Sequence, residues 1–194
     1  MSDPISRRDF AAAGLGAALV ASASEADAAD APKPAGPVEA EFIRTYDPPQ
    51  FKPAWKKPQL NRQLVQDFVM FGHGDLPMVK KLLEIEPLLL NAAVDWGGGD
   101  FETALGGASH IGSREVAEFL LEKGARADLF TFTMLGQLDI VKAFLTLQPK
   151  LIDAKGPHGI GLHMHARMGG KPAEAVLEYL QEVKKVEFPM PKKK

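Results

Sequence analysis

The sequence contains no cysteine. Its absence excludes disulfide frameworks, thiolate zinc sites and cysteine nucleophiles. An excess of basic charge is also missing, because the formal net charge is −2 and the residues after position 28 carry equal numbers of basic and acidic side chains. Nucleic-acid-binding proteins normally show a basic excess. No apolar run approaches the length of about 18 residues that a membrane-spanning helix needs. We therefore expect neither a nucleic-acid partner nor an integral membrane span.

Catalytic motifs are missing as well. The sequence has no Gly-x-Ser-x-Gly and no His-Glu-x-x-His, which would indicate a serine hydrolase or a zinc protease. The carboxylates of Asp95 and Asp100 lie on a glycine-rich loop, which is a poor scaffold for an acid and a base at fixed separation. We predict no catalytic residue, no cofactor and no enzymatic activity.

Residues 1–28 have the pattern of a signal peptide. Arg7 and Arg8 are followed by Asp9, Phe10 and a weakly apolar stretch rich in alanine and glycine. This segment resembles the bacterial twin-arginine translocation motif, and the resemblance implies export of an already folded protein to the periplasm, with transient contact to the export machinery. The alternative is an alanine-rich helix whose two arginines are merely solvated.

Residues 29–60 form a proline-rich arm, since seven prolines lie between positions 29 and 58 and proline disfavours helix. Its aromatic residues are expected to pack against the domain that follows; they are Phe42, Tyr46, Phe51 and Trp55. Residues 184–194 form a tail that cannot continue a helix.

Between arm and tail, residues 61–183 contain an internal repeat. Four segments with the apolar spacing of an amphipathic helix align at 74–83, 112–121, 136–145 and 171–180. A shorter helical stretch precedes each of them, at 62–71, 103–111, 129–135 and 160–168. One such unit cannot bury its own apolar face, so the units must stack. We expect one apolar seam lined by Leu83, Leu121, Leu145 and Leu180.

The second unit resembles an ankyrin repeat. Thr103-Ala104-Leu105-Gly106 is similar to the Thr-Pro-Leu-His start of that family, and Leu120-Leu121-Glu122-Lys123-Gly124-Ala125 to its closing Leu-Leu-x-x-Gly-Ala. The resemblance implies an all-α, ankyrin-type helical repeat solenoid of about four repeats and a role in protein–protein recognition. It implies no activity and no substrate.

The spacing departs from the ankyrin period of about 33 residues. Gly74, Gly112, Gly136 and Lys171, which occupy equivalent positions, are 38, 24 and 35 residues apart. The third repeat is therefore shortened and has no room for a protruding finger loop, while the finger around residues 92–101 is enlarged. We predict a notch beside the enlarged finger, and a binding site there.

The partner-binding candidates lie around this notch: Asp95, Trp96, Asp100, Phe101, Phe130 and His158. Trp96 is the expected anchor, because buried aromatic side chains dominate interface energies. The alternative is that Trp96 packs on the repeat below and that Phe130 fills the core.

The histidines do not suggest a metal site. His163 and His165 would point about 200° apart on a helix, and no spacing matches an established zinc site. His163 is expected to make a structural hydrogen bond, and His158 to be exposed on the last finger. His73 and His110 flank glycines and are expected to bond within turns. A metal would need a third converging ligand, such as Asp153.

The sequence thus predicts an exported ankyrin-repeat protein that binds an unidentified protein partner through its concave face and finger loops. The alternative is a small-molecule or carbohydrate-binding protein, or an enzyme, that uses the notch.

Overall fold

The computed structural model describes residue 36 and residues 38–188. The predicted signal peptide with Arg7 and Arg8 lies outside the described residues, as does the end of the tail. The chain divides into two units, residues 1–41 and 42–194. The described residues of the first unit are exposed and have neither helix nor strand. The following paragraphs concern the second unit.

The arm residues of the second unit have neither helix nor strand before Arg62, and all of them except Leu60 are exposed. Phe42, Tyr46, Phe51 and Trp55 are between 61% and 78% exposed, so the expectation that they pack against the domain was wrong. The guanidinium of Arg44 lies over the rings of Phe42 and Tyr46. Repeated prolines keep the backbone from folding back, and these aromatic side chains therefore remain in solvent.

The rest of the unit is mostly helical, which confirms the predicted all-α class. Eight α-helices in the described part of the chain form four consecutive pairs. They are α1 (Arg62–Gly72) and α2 (Leu76–Ile85), α3 (Ala104–Ile111) and α4 (Arg114–Glu122), α5 (Leu129–Met134) and α6 (Leu138–Leu147), and α7 (Leu162–Met168) and α8 (Glu174–Val183). Short 3-10 helices lie at Pro87–Asn91, Pro149–Asp153, Pro157–Gly159 and Lys171–Ala173. No described helix has both the length and the apolar character needed to cross a membrane.

Local sequence explains where these helices begin and end. Asn61, Thr103 and Asp128 precede α1, α3 and α5, and their side-chain oxygens accept hydrogen bonds from backbone N–H groups of the first turn. Gly136 joins α5 to α6 with φ of 78°. A Cβ there would lie 2.0 Å from the carbonyl oxygen of Pro172, so both the backbone conformation and the close approach require glycine.

The helix pairs stack in chain order. The two helices of each pair pack on each other, and the first helices pack in sequence, α1 on α3, α3 on α5 and α5 on α7. The second helices also touch, α2 on α4 and α6 on α8. Helix α3 also packs directly on α7, and this contact brings the loops that precede these two helices to neighbouring positions.

The apolar interior forms two clusters rather than one seam. The first is centred on the first two pairs and the second on the last two. Leu145 and Leu180 are buried as expected. Leu83 and Leu121 are only partly buried and pack against the first cluster, and the buried leucines of α2 and α4 are Leu82 and Leu120. A helix buries residues that are three or four positions apart. Each buried leucine follows a buried valine at that spacing, and these leucines are Leu82, Leu120, Leu145 and Leu180.

Buried polar side chains lie between the two clusters. The hydroxyl of Ser109 on α3 donates to the carbonyl oxygen of Leu105 and lies 3.1 Å from the hydroxyl of Thr131 on α5. Ser109, Thr131, Thr133 and His165 are all at most 1% exposed. They replace apolar contacts with hydrogen bonds where the two halves of the stack meet.

Two short strands form the enlarged finger. β1 (Ala93–Asp95) pairs antiparallel with β2 (Phe101–Thr103), with Val94 opposite Glu102. Residues 125–128, which lead into α5, contain no strand, as the shortened spacing predicts.

Candidate functional site

Two loops, one before α3 and one before α7, are in direct contact. We call residues 93–103 the first finger and residues 155–161, closed by a bridge between Lys155 and Gly161, the second finger. Asp100 at the tip of the first finger accepts hydrogen bonds from the backbone N–H of His158 at 2.8 Å and from its Nδ1 at 2.9 Å. The notch predicted between the fingers is therefore bridged by direct contact between them.

Glu102 lies beneath this contact and is only 1% exposed. Its Oε2 accepts a hydrogen bond from Nε1 of Trp96 at 2.7 Å. Its Oε1 lies 2.8 Å from Nε2 of His110 but has no partner with hydrogen-bond geometry. A carboxylate buried in this way needs compensation by donors or by positive charge.

Three imidazole rings converge on Glu102. His73 ends α1, His110 lies in the last turn of α3, and His158 lies on the second finger. Nε2 of His73 is 3.6 Å from Oε2, and Nε2 of His158 is 3.5 Å from Oε1. The Nε2 atoms of His73 and His110 are 3.1 Å apart. We call His73, Glu102, His110 and His158 the His–Glu cluster.

The outer nitrogens of two of these rings are held by acceptors. Nδ1 of His73 donates to the carbonyl oxygen of Val69 at 3.0 Å, and Nδ1 of His158 donates to Asp100. In a neutral ring each of these bonds leaves the lone pair on Nε2. Both lone pairs therefore belong to the atoms that face the cluster.

Gly107 makes room for one of the rings. A Cβ at this position of α3 would lie 2.8 Å from the ring of His73, a contact that atoms of this size cannot make without a shift. Glycine at this position lowers the helix propensity of α3. It also lets α1 and α3 approach closely enough to place His73 and His110 side by side.

Both carboxylates at the junction have lowered pKa values. For Asp100 the largest cause is the hydrogen bond from the backbone N–H of His158, which outweighs the opposing effect of burial. For Glu102, burial is the largest single effect and raises the pKa, but the combined effects of His110, the hydrogen bond from Trp96 and the nearby His73 lower it further. Both groups are therefore ionised at neutral pH.

The other two histidines lie apart from the cluster. Nε2 of His163 is within hydrogen-bond distance of the carbonyl oxygens of Leu180 and Lys184, so its role is structural, as expected. Nδ1 of His165 donates to the carbonyl oxygen of Gly161. Burial lowers the pKa of His165, and this ring is neutral. Asp153, the third ligand considered for a metal, pairs instead with Lys184.

The predicted partner-binding residues have different surroundings. Phe101 and Trp96 are 63% and 37% exposed on the first finger. Asp95 organises the loop, because its Oδ1 accepts from the N–H groups of Gly97 and Gly99. Phe130 is half-buried and packs on the ring of His165, in agreement with core filling.

Sequence reasoning did not select three of the four members of the His–Glu cluster. His73 and His110 were expected to bond within turns, and Glu102 lies directly before the Thr103 that begins the ankyrin-like segment. Glu102 and His110 are only 8 positions apart, but His73 and His158 lie 29 and 56 positions from Glu102, so no local spacing relates all four residues. The available signal was the shortened interval after Gly112, which brings the last finger next to the enlarged one.

Comparison of the chain with protein-family models, with curated proteins and with solved structures gives no match.

Proposed function

We propose that this chain is an ankyrin-type helical repeat protein that is exported from a bacterial cell and binds a protein partner. The repeat reading is supported by four consecutive helix pairs, by the stacking of their first helices and by glycine at the turns within the second and third pairs. Stacked pairs with protruding loops present an extended surface, which repeat proteins use for recognition.

The observation that carries partner binding is the exposure of two aromatic side chains on the first finger. Phe101 and Trp96 sit on neighbouring positions of the hairpin, and Trp96 is fixed by its hydrogen bond to Glu102. Aromatic residues that are exposed in the free protein and held in place lose little conformational entropy on binding. They have the properties of interface anchors.

The arm offers a second apolar surface. Phe51 and Trp55 are more than 70% exposed on an extended segment. An extended proline-rich segment with aromatic side chains suits recognition by a groove on another protein.

The experiment is capture of binding proteins from a periplasmic extract with the wild type and with Phe101→Ala. We expect the variant to lose at least about 2 kcal/mol of binding free energy, as anchors do, with an unchanged melting temperature. Phe144→Ala is the matched control, because Phe144 is an exposed aromatic residue on α6. Equal capture by both variants would exclude the finger as the binding surface.

Trp96→Ala is a less clean test of the same surface. The indole N–H is the hydrogen-bond donor to Oε2 of Glu102, so its removal leaves a buried carboxylate oxygen without that donor and lowers stability. A loss of partner binding in this variant has to be compared with its loss of stability.

The proposed export depends on Arg7 and Arg8. Replacing both by lysine should retain the protein in the cytoplasm, and cell fractionation measures this. Undiminished export of the double variant would contradict the twin-arginine proposal.

The alternative function is binding or conversion of a small molecule at the finger junction. The convergence of three imidazoles on Glu102 favours it, since such groups bind polar ligands. A small ligand that raises the melting temperature of the wild type, but not that of His158→Ala, would support this alternative.

A further inference from the structure

We propose that His73, Glu102, His110 and His158 bind one divalent cation of the zinc type, which joins the two fingers to the ends of α1 and α3. This inference concerns a metal site and does not depend on whether the chain binds a protein partner.

The spacing of the ligand atoms fits a single ion. One nitrogen or carboxylate oxygen from each of the four residues lies within 4.8 Å of all the others. Ligands at 2.0–2.1 Å from a tetrahedral zinc ion are separated from one another by about 3.3 Å. The distances of 2.8, 3.1 and 3.5 Å among the three Nε2 atoms and Oε1 of Glu102 lie around this value.

Hydrogen-bond donors are too few for the acceptors that converge here. The Nδ1 atoms of His73 and His158 donate outward, so only the Nε2 lone pair of each ring can face the cluster and bind a cation. His110 can supply one hydrogen from Nε2, and its geometry directs that hydrogen to His73. Oε1 of Glu102 is then left without a donor in a fully buried position. A cation would satisfy all of these lone pairs at once.

The outer contacts are of the kind that orient metal ligands. His158 is held by a carboxylate and His73 by a backbone carbonyl oxygen, the two usual partners of a metal-bound imidazole. Oε2 of Glu102 is held by Trp96. These contacts fix three of the four ligands before any ion arrives.

The donor set selects the class of metal. Three imidazole nitrogens and one carboxylate suit zinc and its neighbours in the first transition row. Calcium and magnesium prefer ligand sets made of oxygen. We therefore expect Zn²⁺ to bind, with Co²⁺ as its spectroscopic substitute and Mg²⁺ as a negative control.

The experiment uses the full chain without a histidine tag. The protein is treated with a chelator, separated from it and titrated with Zn²⁺ and Co²⁺, in the absence of any partner. We expect one ion per chain and a Co²⁺ visible spectrum of the intense, four-coordinate type. Mg²⁺ should neither bind stoichiometrically nor displace Co²⁺.

Three variants identify the ligands. His158→Ala removes a ligand from an exposed loop, so the fold should persist, and we expect at least a 10-fold loss of affinity. Glu102→Gln removes the charged ligand and should abolish the four-coordinate spectrum. Asp100→Asn leaves the ligand set intact but weakens the support of His158, and outer partners of this type contribute about 10–100-fold to affinity.

His165→Gln is the matched control, because it removes a buried histidine outside the cluster. We expect its affinity for Zn²⁺ to equal that of the wild type. Equal affinity of His158→Ala and His165→Gln would overturn the proposal, as would a six-coordinate Co²⁺ spectrum or the absence of stoichiometric binding to folded wild type. In those cases the cluster is a structural network of polar contacts around Glu102. Should Glu102→Gln fail to fold, the Zn²⁺ affinity of His158→Ala and the Co²⁺ spectrum of the wild type still test whether the cluster binds a metal ion.

Discussion

The helical stack and the finger junction are held together by different interactions. In the stack, residues such as Val116 and Leu120 are four positions apart and are buried with other apolar side chains. At the junction, Glu102, His110 and His158 come from a strand, a helix and a loop, and their contacts are polar. The stability of the stack therefore depends on how fully apolar side chains fill its interior. The structure of the junction depends on the distances and orientations of its polar groups.

This difference predicts how each region responds to change. Loss of a buried apolar side chain removes contacts and leaves a cavity. Loss of a polar group at the exposed edge of the junction removes one contact that orients its neighbours. Water molecules replace part of the lost interaction energy. Variants in the stack should lower stability more than variants at the rim of the junction, whereas the junction variants should affect ligand binding more.

The largest expected effect comes from Leu120→Ala in the stack. Leu120 is fully buried in the first apolar cluster, and such truncations cost about 2–5 kcal/mol. Urea denaturation measures the free energy of unfolding. Leu147→Ala, which truncates a leucine that is 81% exposed, is the control and should change it little. A loss below about 1 kcal/mol for Leu120→Ala would contradict the described packing.

Ser109→Ala tests the polar layer between the two apolar clusters. The variant removes the hydrogen bond to Leu105 and the contact to Thr131. Loss of a partner of a buried polar group costs about 1–3 kcal/mol. Thr131→Val, measured alone and together with Ser109→Ala, gives the coupling between the two residues. Additive losses would show that the hydroxyls do not interact.

His165 should make stability depend on pH. Burial is the largest cause of its lowered pKa; Gly161 and Asp128 act in the opposite direction, and His110 lowers it slightly more. The unfolded chain therefore binds a proton at a higher pH than the folded chain does, and stability falls as pH drops below about 6.5, the ordinary pKa of histidine. Denaturation between pH 8 and pH 5 measures this slope. His165→Gln should reduce it, and an unchanged slope would assign it to other groups.

The smallest expected effect on stability comes from Asp100→Asn at the rim of the junction. Asp100 and His158 are each about one-third exposed, and pairs of this kind contribute at most about 1 kcal/mol. Denaturation of the metal-free chain measures the loss. A loss comparable with that of Leu120→Ala would show that the fingers support the whole stack.

The fold was largely predictable because its signals are local. The apolar spacing placed all four helix pairs, and the capping residues Asn61, Thr103 and Asp128 lie where helices begin. The pattern did not distinguish Leu82 from Leu83 or Leu120 from Leu121 as the more buried residue, because two adjacent leucines satisfy a helical pattern equally well. Only packing against the neighbouring pair selects Leu82 and Leu120.

The candidate site was predictable only in part. The enlarged finger, the shortened third unit and the exposure of His158 followed from residue spacing. The contact between Asp100 and His158 did not, since the two residues are 58 positions apart. Nor did the burial of Glu102, whose charge by itself predicts exposure.

The sequence by itself determined the helix pairs, because hydrophobic periodicity, caps and glycine turns act over a few residues. Only the tertiary structure decided that two fingers meet and that three imidazoles surround one buried carboxylate. Which side chains converge depends on how far each helix pair is displaced from the next. That displacement is set by close approaches between distant backbones, such as Gly136 against Pro172.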